Sequence, residues 1–387
     1  MKFLYIATFL KCFLVIYFLQ GNFVHFSFSG RYIEQEYAGI TKTIKISFDI
    51  LSIFIFCYIG DFLSRKYVTI IILLFDIFFL FLYLIAVEFQ NELYNLIFIK
   101  NKIYDFGYLI LLISIKIQII NISKSLKDKY FGLEFYNFVI LLATTLVFIV
   151  SIFYKQNNIL YLLFLSLIIF LFFYTYFDEK VKNEQNNRNI IIVKDHKKFF
   201  LYSIIIQMLP SLNFYLIFIY FGNILKNNYG YKTNDLILNS FYITQLSLLR
   251  SIITMFLLIY KVNIIRISLY SLFFYGLSIL AIPTVTKLES SKYSIILLQI
   301  LLTFFNPYYH SIESIIINNI SGIRLFTSYT IITYISKILS YIFVAFFLEF
   351  GLRIFNYYGI CILYILFLIF FLKSIKYLVK VSESSKT

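Results

Sequence analysis

The sequence predicts an all-α membrane protein of about twelve transmembrane helices, arranged as two six-helix bundles. Three observations predict it. Of 387 residues, 61% are hydrophobic and 14% charged, whereas a soluble domain is roughly half apolar and a quarter charged. So few charges cannot coat a water-facing surface, and lipid is the solvent that fits. Apolar runs also recur along the whole chain at about the 20-residue length a spanning helix needs. Finally, the longest polar stretch, Asp178–Lys198 (DEKVKNEQNNRNIIIVKDHKK), falls after the sixth run and divides the set into six plus six.

The runs place helices at roughly 3–27, 43–61, 67–88, 103–123, 131–154, 158–177, 199–222, 236–260, 267–285, 293–320, 328–350 and 354–373, each near the spanning length. The expected organisation is an N-terminal bundle over 1–177, a central loop over 178–198, a C-terminal bundle over 199–373 and a tail over 374–387. The first run is not a signal peptide: Lys11 interrupts it, no small-residue cleavage site follows, and its apolar stretch is too long. The central loop, rich in Asn, Lys and Glu, reads as a solvated linker.

Charge sets the expected orientation. With the N-terminus in the cytosol, cytosolic segments hold 19 basic residues, the opposite loops about eleven, and four lie inside spans. The positive-inside rule then places both termini and the central loop in the cytosol. The net charge of +15 does not indicate nucleic acid, because the basic residues are not gathered into one soluble segment. Cys12, Cys57 and Cys361 all lie in apolar runs, with no spacing for a disulfide framework or a metal site. No cofactor is expected, no lipidation signal or organelle address is evident, and plasma and organelle membranes stay equally open.

A charge inside a span is costly, so it usually faces a protein interior or a watery path. Lys11, Asp49, Asp76, Lys116, Arg250, Glu313 and Lys337 are the charges so placed. In the tenth run, Gln299, Thr303, Asn306, His310 and Glu313 follow steps of three and four and share one helix face. Ser240, Thr244, Ser247, Ser251 and Thr254, with Arg250 beside them, form a similar stripe in the eighth. Thr330, Thr333, Lys337 and Ser340 do so in the eleventh, and Ser114, Gln118 and Asn121 in the fourth. Hydrocarbon cannot satisfy hydroxyls and amides, so such stripes turn inward. Two uses are open to them: lining a polar cavity, or joining helices by hydrogen bonds. Enzyme chemistry finds little support, since the chain has only His25, His196 and His310 and shows no HExxH, CxxC, GxSxG or glycine-rich phosphate loop.

Cys57–Lys66 reads CYIGDFLSRK. It resembles the helix two–three loop of the major facilitator superfamily, G-x-x-x-D-x-x-G-R-K, with Asp61, Arg65 and Lys66 in place and Cys57 and Ser64 where the family has glycine. The resemblance implies a gate in which the Asp61 carboxylate pairs with a nearby arginine and with the N-terminus of helix eleven, a favourable dipole end for an anion. YFLQG at Tyr17–Gly21, LPSLNFY at Leu209–Tyr215 and NPYYHSIES at Asn306–Ser314 resemble segments of that superfamily's folate-biopterin transporters.

The expected function is therefore secondary transport of a small polar or anionic solute by alternating access about a midplane site. If the folate-biopterin resemblance holds, the solute is a folate or pterin. Arg250, Lys116, Lys337, Gln299, Asn306 and His310 are the expected substrate-binding residues. Protonation of Glu313, Asp49 or Asp76 would couple transport to a proton gradient. The expected partners are the solute, protons and the bilayer, with no oligomer required. The alternative is a multi-pass membrane enzyme or scaffold without transport activity.

Overall fold

The computed structural model describes residues 4–13, 65–88, 111–123, 125–153, 156–177, 196–260, 263–287, 292–307, 312–313, 315–317, 320, 325–346 and 352–384. Among them every regular element is helical. The order is α1 (Leu4–Phe13), α2 (Arg65–Glu88), α3 (Leu111–Ile122), α4 (Leu126–Phe153), α5 (Gln156–Phe177), α6 (His196–Phe214), a π-helical stretch (Tyr215–Tyr220), α7 (Phe221–Tyr229), α8 (Thr233–Ile259), α9 (Ile264–Leu280), α10 (Ile282–Lys287), α11 (Lys292–Phe304), α12 (Leu325–Phe346) and α13 (Leu352–Ser384). The all-α expectation holds. Four described helices, Lys127–Val150, Lys197–Tyr229, Asp235–Ile259 and Arg266–Thr286, are long and apolar enough to cross a membrane. The expected span at 43–61 lies outside the described residues.

Side chains such as Leu162 (69% exposed), Phe172 (63%) and Phe273 (63%) face outward from these helices. In water such a surface would associate; in a bilayer it is solvated by acyl chains. Apolar side chains such as these face outward, while several polar ones, Lys11, Gln299 and Glu313 among them, are buried.

The chain separates into two compact units. The first comprises Met1–Ser123, Phe138–Asn189 and Gly322–Thr330; the second comprises Lys124–Asn137, Ile190–Ser321 and Ile331–Thr387. In the first, α2 packs along α5, with Phe81 and Phe164 stacked at 6.0 Å. In the second, α13 packs along α6 and α9, while α11 packs against α8, α9 and α7.

The start of α4 belongs to the second unit. Ser125 and Asp128 form a capping box there: the Ser125 N–H donates to Asp128 Oδ2 at 3.1 Å and the Asp128 N–H to Ser125 Oγ at 3.0 Å. Lys127 Nζ then donates to the Ile259 carbonyl at 3.1 Å, satisfying an orphan acceptor at the end of α8. Tyr130 and Phe131 pack on Leu258 beside it.

Two departures from the expected bounds have a clear physical reason. The tenth run was expected to be one helix over 293–320, but α11 ends at Phe304 and the backbone is irregular at Asn306 and Pro307. Proline has no N–H to donate and disfavours the α conformation of the residue before it, so the helix stops there. The last helix was expected to end at 373 and instead runs to Ser384. Phe371, Ile375 and Leu378 are buried along that extension at helical spacing, and this packing carries the helix past the apolar run.

Candidate functional site

Each unit buries a polar cluster, and the two differ in chemistry. In the first unit, Lys11 on α1 and Asp76 on α2 form an ion pair, with Lys11 fully buried and Asp76 5% exposed. Two intramembrane charges of opposite sign, each costly alone, cancel by pairing. Beside them Gln118 on α3 donates to Thr69 Oγ1 on α2 at 3.1 Å and to Ser114 Oγ at 3.2 Å. Lys116 is half-buried on α3.

In the second unit the cluster is built mainly from neutral amides on α6, α8, α9 and the α11 end. Tyr275 donates its hydroxyl to Asn213 Oδ1, Asn213 Nδ2 donates to Asn306 Oδ1, and Arg250 Nη2 donates to the Asn306 carbonyl. The helix break at Pro307 makes that last bond possible, because it leaves the Asn306 backbone outside a regular helix. Asn239 Nδ2 donates to Gln299 Oε1 at 3.1 Å, and Gln299 Nε2 donates to the Ile217 carbonyl at 2.8 Å. Gln207 Nε2 lies 3.4 Å from Glu313 Oε1, with Glu313 fully buried.

The backbone of α6 and the π-helical stretch takes part. Ile217 sits within Tyr215–Tyr220, where i→i+5 bonding displaces carbonyls from the usual ladder. Pro210, inside α6, removes one N–H. Side chains from three other helices reach this rod: Gln299 to Ile217, Tyr364 to the Leu212 carbonyl at 2.8 Å, and Ser340 to the Met208 carbonyl at 3.4 Å.

The expected site residues distribute as follows. Gln299, Asn306, Arg250 and Glu313 are all in the second unit's cluster, and Asp76 is in the first unit's ion pair. Lys337 is exposed on α12. Arg65 and Lys66 open α2, but their side chains, and the whole of Asp49, Asp61 and His310, lie outside the described residues. The residues sequence reasoning did not single out are Gln207, Asn213, Asn239 and Tyr275. Three of these are amides in otherwise apolar runs, a signal that was available.

The hydroxyl stripes behave differently from the amides. Thr244 donates to the Ser240 carbonyl, Ser247 to Ile243, Thr254 to Arg250 and Thr303 to Gln299, all four residues back on the same helix. A hydroxyl satisfies itself locally in this way. Ser251 is the member of the eighth-run stripe that bonds to another helix, donating to the Glu134 carbonyl on α4 at 3.3 Å. An Asn or Gln head group, with two donors and an acceptor to satisfy, reaches across instead.

No family model matches the chain, and no curated protein matches it. Solved structures do. FucP, a major facilitator superfamily transporter in the outward conformation, aligns with a TM-score of 0.66 at 10% identity over 97% of this chain and 98% of that one. A bacterial homologue of the iron transporter ferroportin, outward-facing with soaked iron, aligns at 0.67 and 12% identity over 96% and 98%. The proton:xylose symporter XylE bound to 6-bromo-6-deoxy-D-glucose aligns at 0.64 and 12% identity over 96% and 95%. The fold of this chain is thus shared with FucP and XylE, both major facilitator superfamily transporters.

Proposed function

We propose that the chain is a secondary transporter of a small polar or anionic solute, working by alternating access, with the amide cluster of the second unit as its solute-binding groups. The observation that carries this is the set Asn213, Asn239, Gln299, Asn306, Arg250 and Tyr275, which joins four helices by hydrogen bonds inside an otherwise apolar unit. Amides exchange partners at little cost when a solute offers the same donors and acceptors. Arg250 gives the cluster a positive charge suited to a carboxylate. The fold supports the reading, since the neighbours FucP, XylE and the ferroportin homologue are themselves transporters.

Finer statements rest on sequence. Folate or pterin as the solute follows from the motif resemblance alone. Proton coupling through Glu313, Asp76 or Asp49, an anion-attracting role for Lys116 and Lys337, a place for His310 in the site, and gating by Asp61, Arg65 and Lys66 are proposals of the same kind. So is the division into bundles at 1–177 and 199–373 with cytosolic termini.

The test is uptake of labelled folates, pterins, sugars and amino acids by proteoliposomes, with and without a proton gradient. One class is expected to accumulate, and Arg250→Gln is expected to abolish it. Glu313→Gln is expected to remove gradient-driven uptake while leaving protein abundance intact. Failure of every class to enter would overturn the transporter reading, and unchanged pH dependence in Glu313→Gln would remove that residue from coupling.

A further inference from the structure

We propose that Lys337 on α12 faces water at mid-membrane depth and draws small organic anions there, which makes the transported solute an anion. The solute's class rests on the transporter reading; the water-facing charge stands without it. Depth comes first. Lys337 is the one charge between Arg324 and Glu349, a stretch of about spanning length. At about 1.5 Å per residue it lies about 18 Å from the Leu325 end of α12 and about 14 Å from the Phe346 end. A lysine stem is about 6 Å long, so snorkelling along the helix brings the ammonium to neither end. Lys337 is nevertheless exposed. A charge at that depth is too costly against acyl chains and takes either protein or water as its surroundings. Exposure leaves water.

The helix face agrees with that depth. Ile331, Ile338 and Ile342 are exposed and recur at steps of seven and four, which puts them on one apolar side of α12. With 3.6 residues per turn, Lys337 stands about a third of a turn away from that side. Thr333, four residues before it, and Ser340, three after it, share its own side. Ser340 is buried and donates to the Met208 carbonyl on α6 at 3.4 Å. The isoleucine side is the one acyl chains solvate, whereas the side holding Lys337 borders the contact with α6.

Charge then names the solute class. Low-dielectric surroundings focus the field of a water-facing charge and raise the local concentration of ions of opposite sign. An ammonium is a compact point charge with three rotatable donors, so it accepts a carboxylate, sulfonate or phosphate without demanding one fixed geometry. A small organic anion is the solute such a face favours over an uncharged one.

The test reads charge at this face without needing the solute. The full chain, with Cys12, Cys57 and Cys361 replaced by serine, is placed in proteoliposomes with a single cysteine, Thr333→Cys, or Ile342→Cys as the acyl-side control. Each is treated from both sides with two membrane-impermeant methanethiosulfonates, the anionic sulfonatoethyl and the cationic trimethylammonioethyl reagent. Thr333→Cys is expected to react, and its anion-to-cation rate ratio is expected to fall about fivefold when Lys337→Gln is added. Lys337→Arg is expected to keep the higher ratio. Taking a ratio cancels any effect of the lysine on the thiol itself. Ile342→Cys is expected to stay unreactive. No reaction at position 333, a ratio unmoved by Lys337→Gln, or equal reaction at position 342 would each overturn the proposal. Uptake by wild type of uncharged solutes alone would overturn the assigned solute class. Uptake of no solute at all would sink the transporter reading, while the reagent ratio still decides whether this face attracts anions.

Discussion

The two units solve the problem of polar groups in hydrocarbon by opposite means. The first buries a full charge pair, Lys11 with Asp76, between α1 and α2. The second joins neutral amides, Asn213 to Asn306 and Asn239 to Gln299, with the Arg250 guanidinium donating to a backbone carbonyl. A charge pair must stay together, because either member alone is an uncompensated ion in a low dielectric. An amide pair can part whenever another hydrogen-bonding group replaces its partner. The first arrangement suits a fixed joint, and the second suits a site that opens to a solute.

The sharpest way to break this contrast is to remove half of the ion pair. Lys11→Met is expected to destabilise the first unit by about 3–5 kcal/mol, the usual cost of stranding a buried charge. The double change Lys11→Met with Asp76→Leu is expected to recover most of that loss. Reversible unfolding in bicelles reads both. Equal losses in the single and double variants would mean the pair is not what holds α1 to α2.

Amide changes should cost less in stability and more in function. Asn213→Ala is expected to cost about 1 kcal/mol, in keeping with the ~0.6 kcal/mol average for polar contacts within membranes, while abolishing uptake. A double-mutant cycle of Asn213 and Asn306 is expected to show a coupling of similar size. Smallest of all should be the hydroxyls bonded to their own helix. Thr244→Val and Ser247→Ala are expected to stay within about 0.5 kcal/mol and to leave uptake unchanged. Loss of uptake in these two would place the eighth-run stripe in the site.

Much of the fold was legible because lipid imposes one rule, an apolar run of spanning length, and four described helices meet it. What hydropathy missed lies where the helix and the bilayer part company. α13 continues beyond the oily stretch because Phe371, Ile375 and Leu378 still pack against the unit, a contact that a hydropathy window does not see. α11 stops inside its oily stretch because Pro307 ends the backbone ladder.

The second unit's polar cluster was legible in part. Arg250, Gln299, Asn306 and Glu313 stood out as polar groups at helical spacing. Their partners Gln207, Asn213, Asn239 and Tyr275 did not, because each contact joins residues at least sixty positions apart. The hydroxyl stripes were less informative. Periodicity showed that they share a face, but a serine that bonds its own helix says little about what that face meets.

The most direct test of the solute site is cysteine accessibility in proteoliposomes. In a variant with Cys12, Cys57 and Cys361 replaced by serine, single cysteines at Asn239 and Asn306 would be treated with a membrane-impermeant thiol reagent from each side. Labelling from at least one side, slowed by the transported solute, is the predicted result. Cysteines sealed from both sides while uptake persists would show that the solute takes another route.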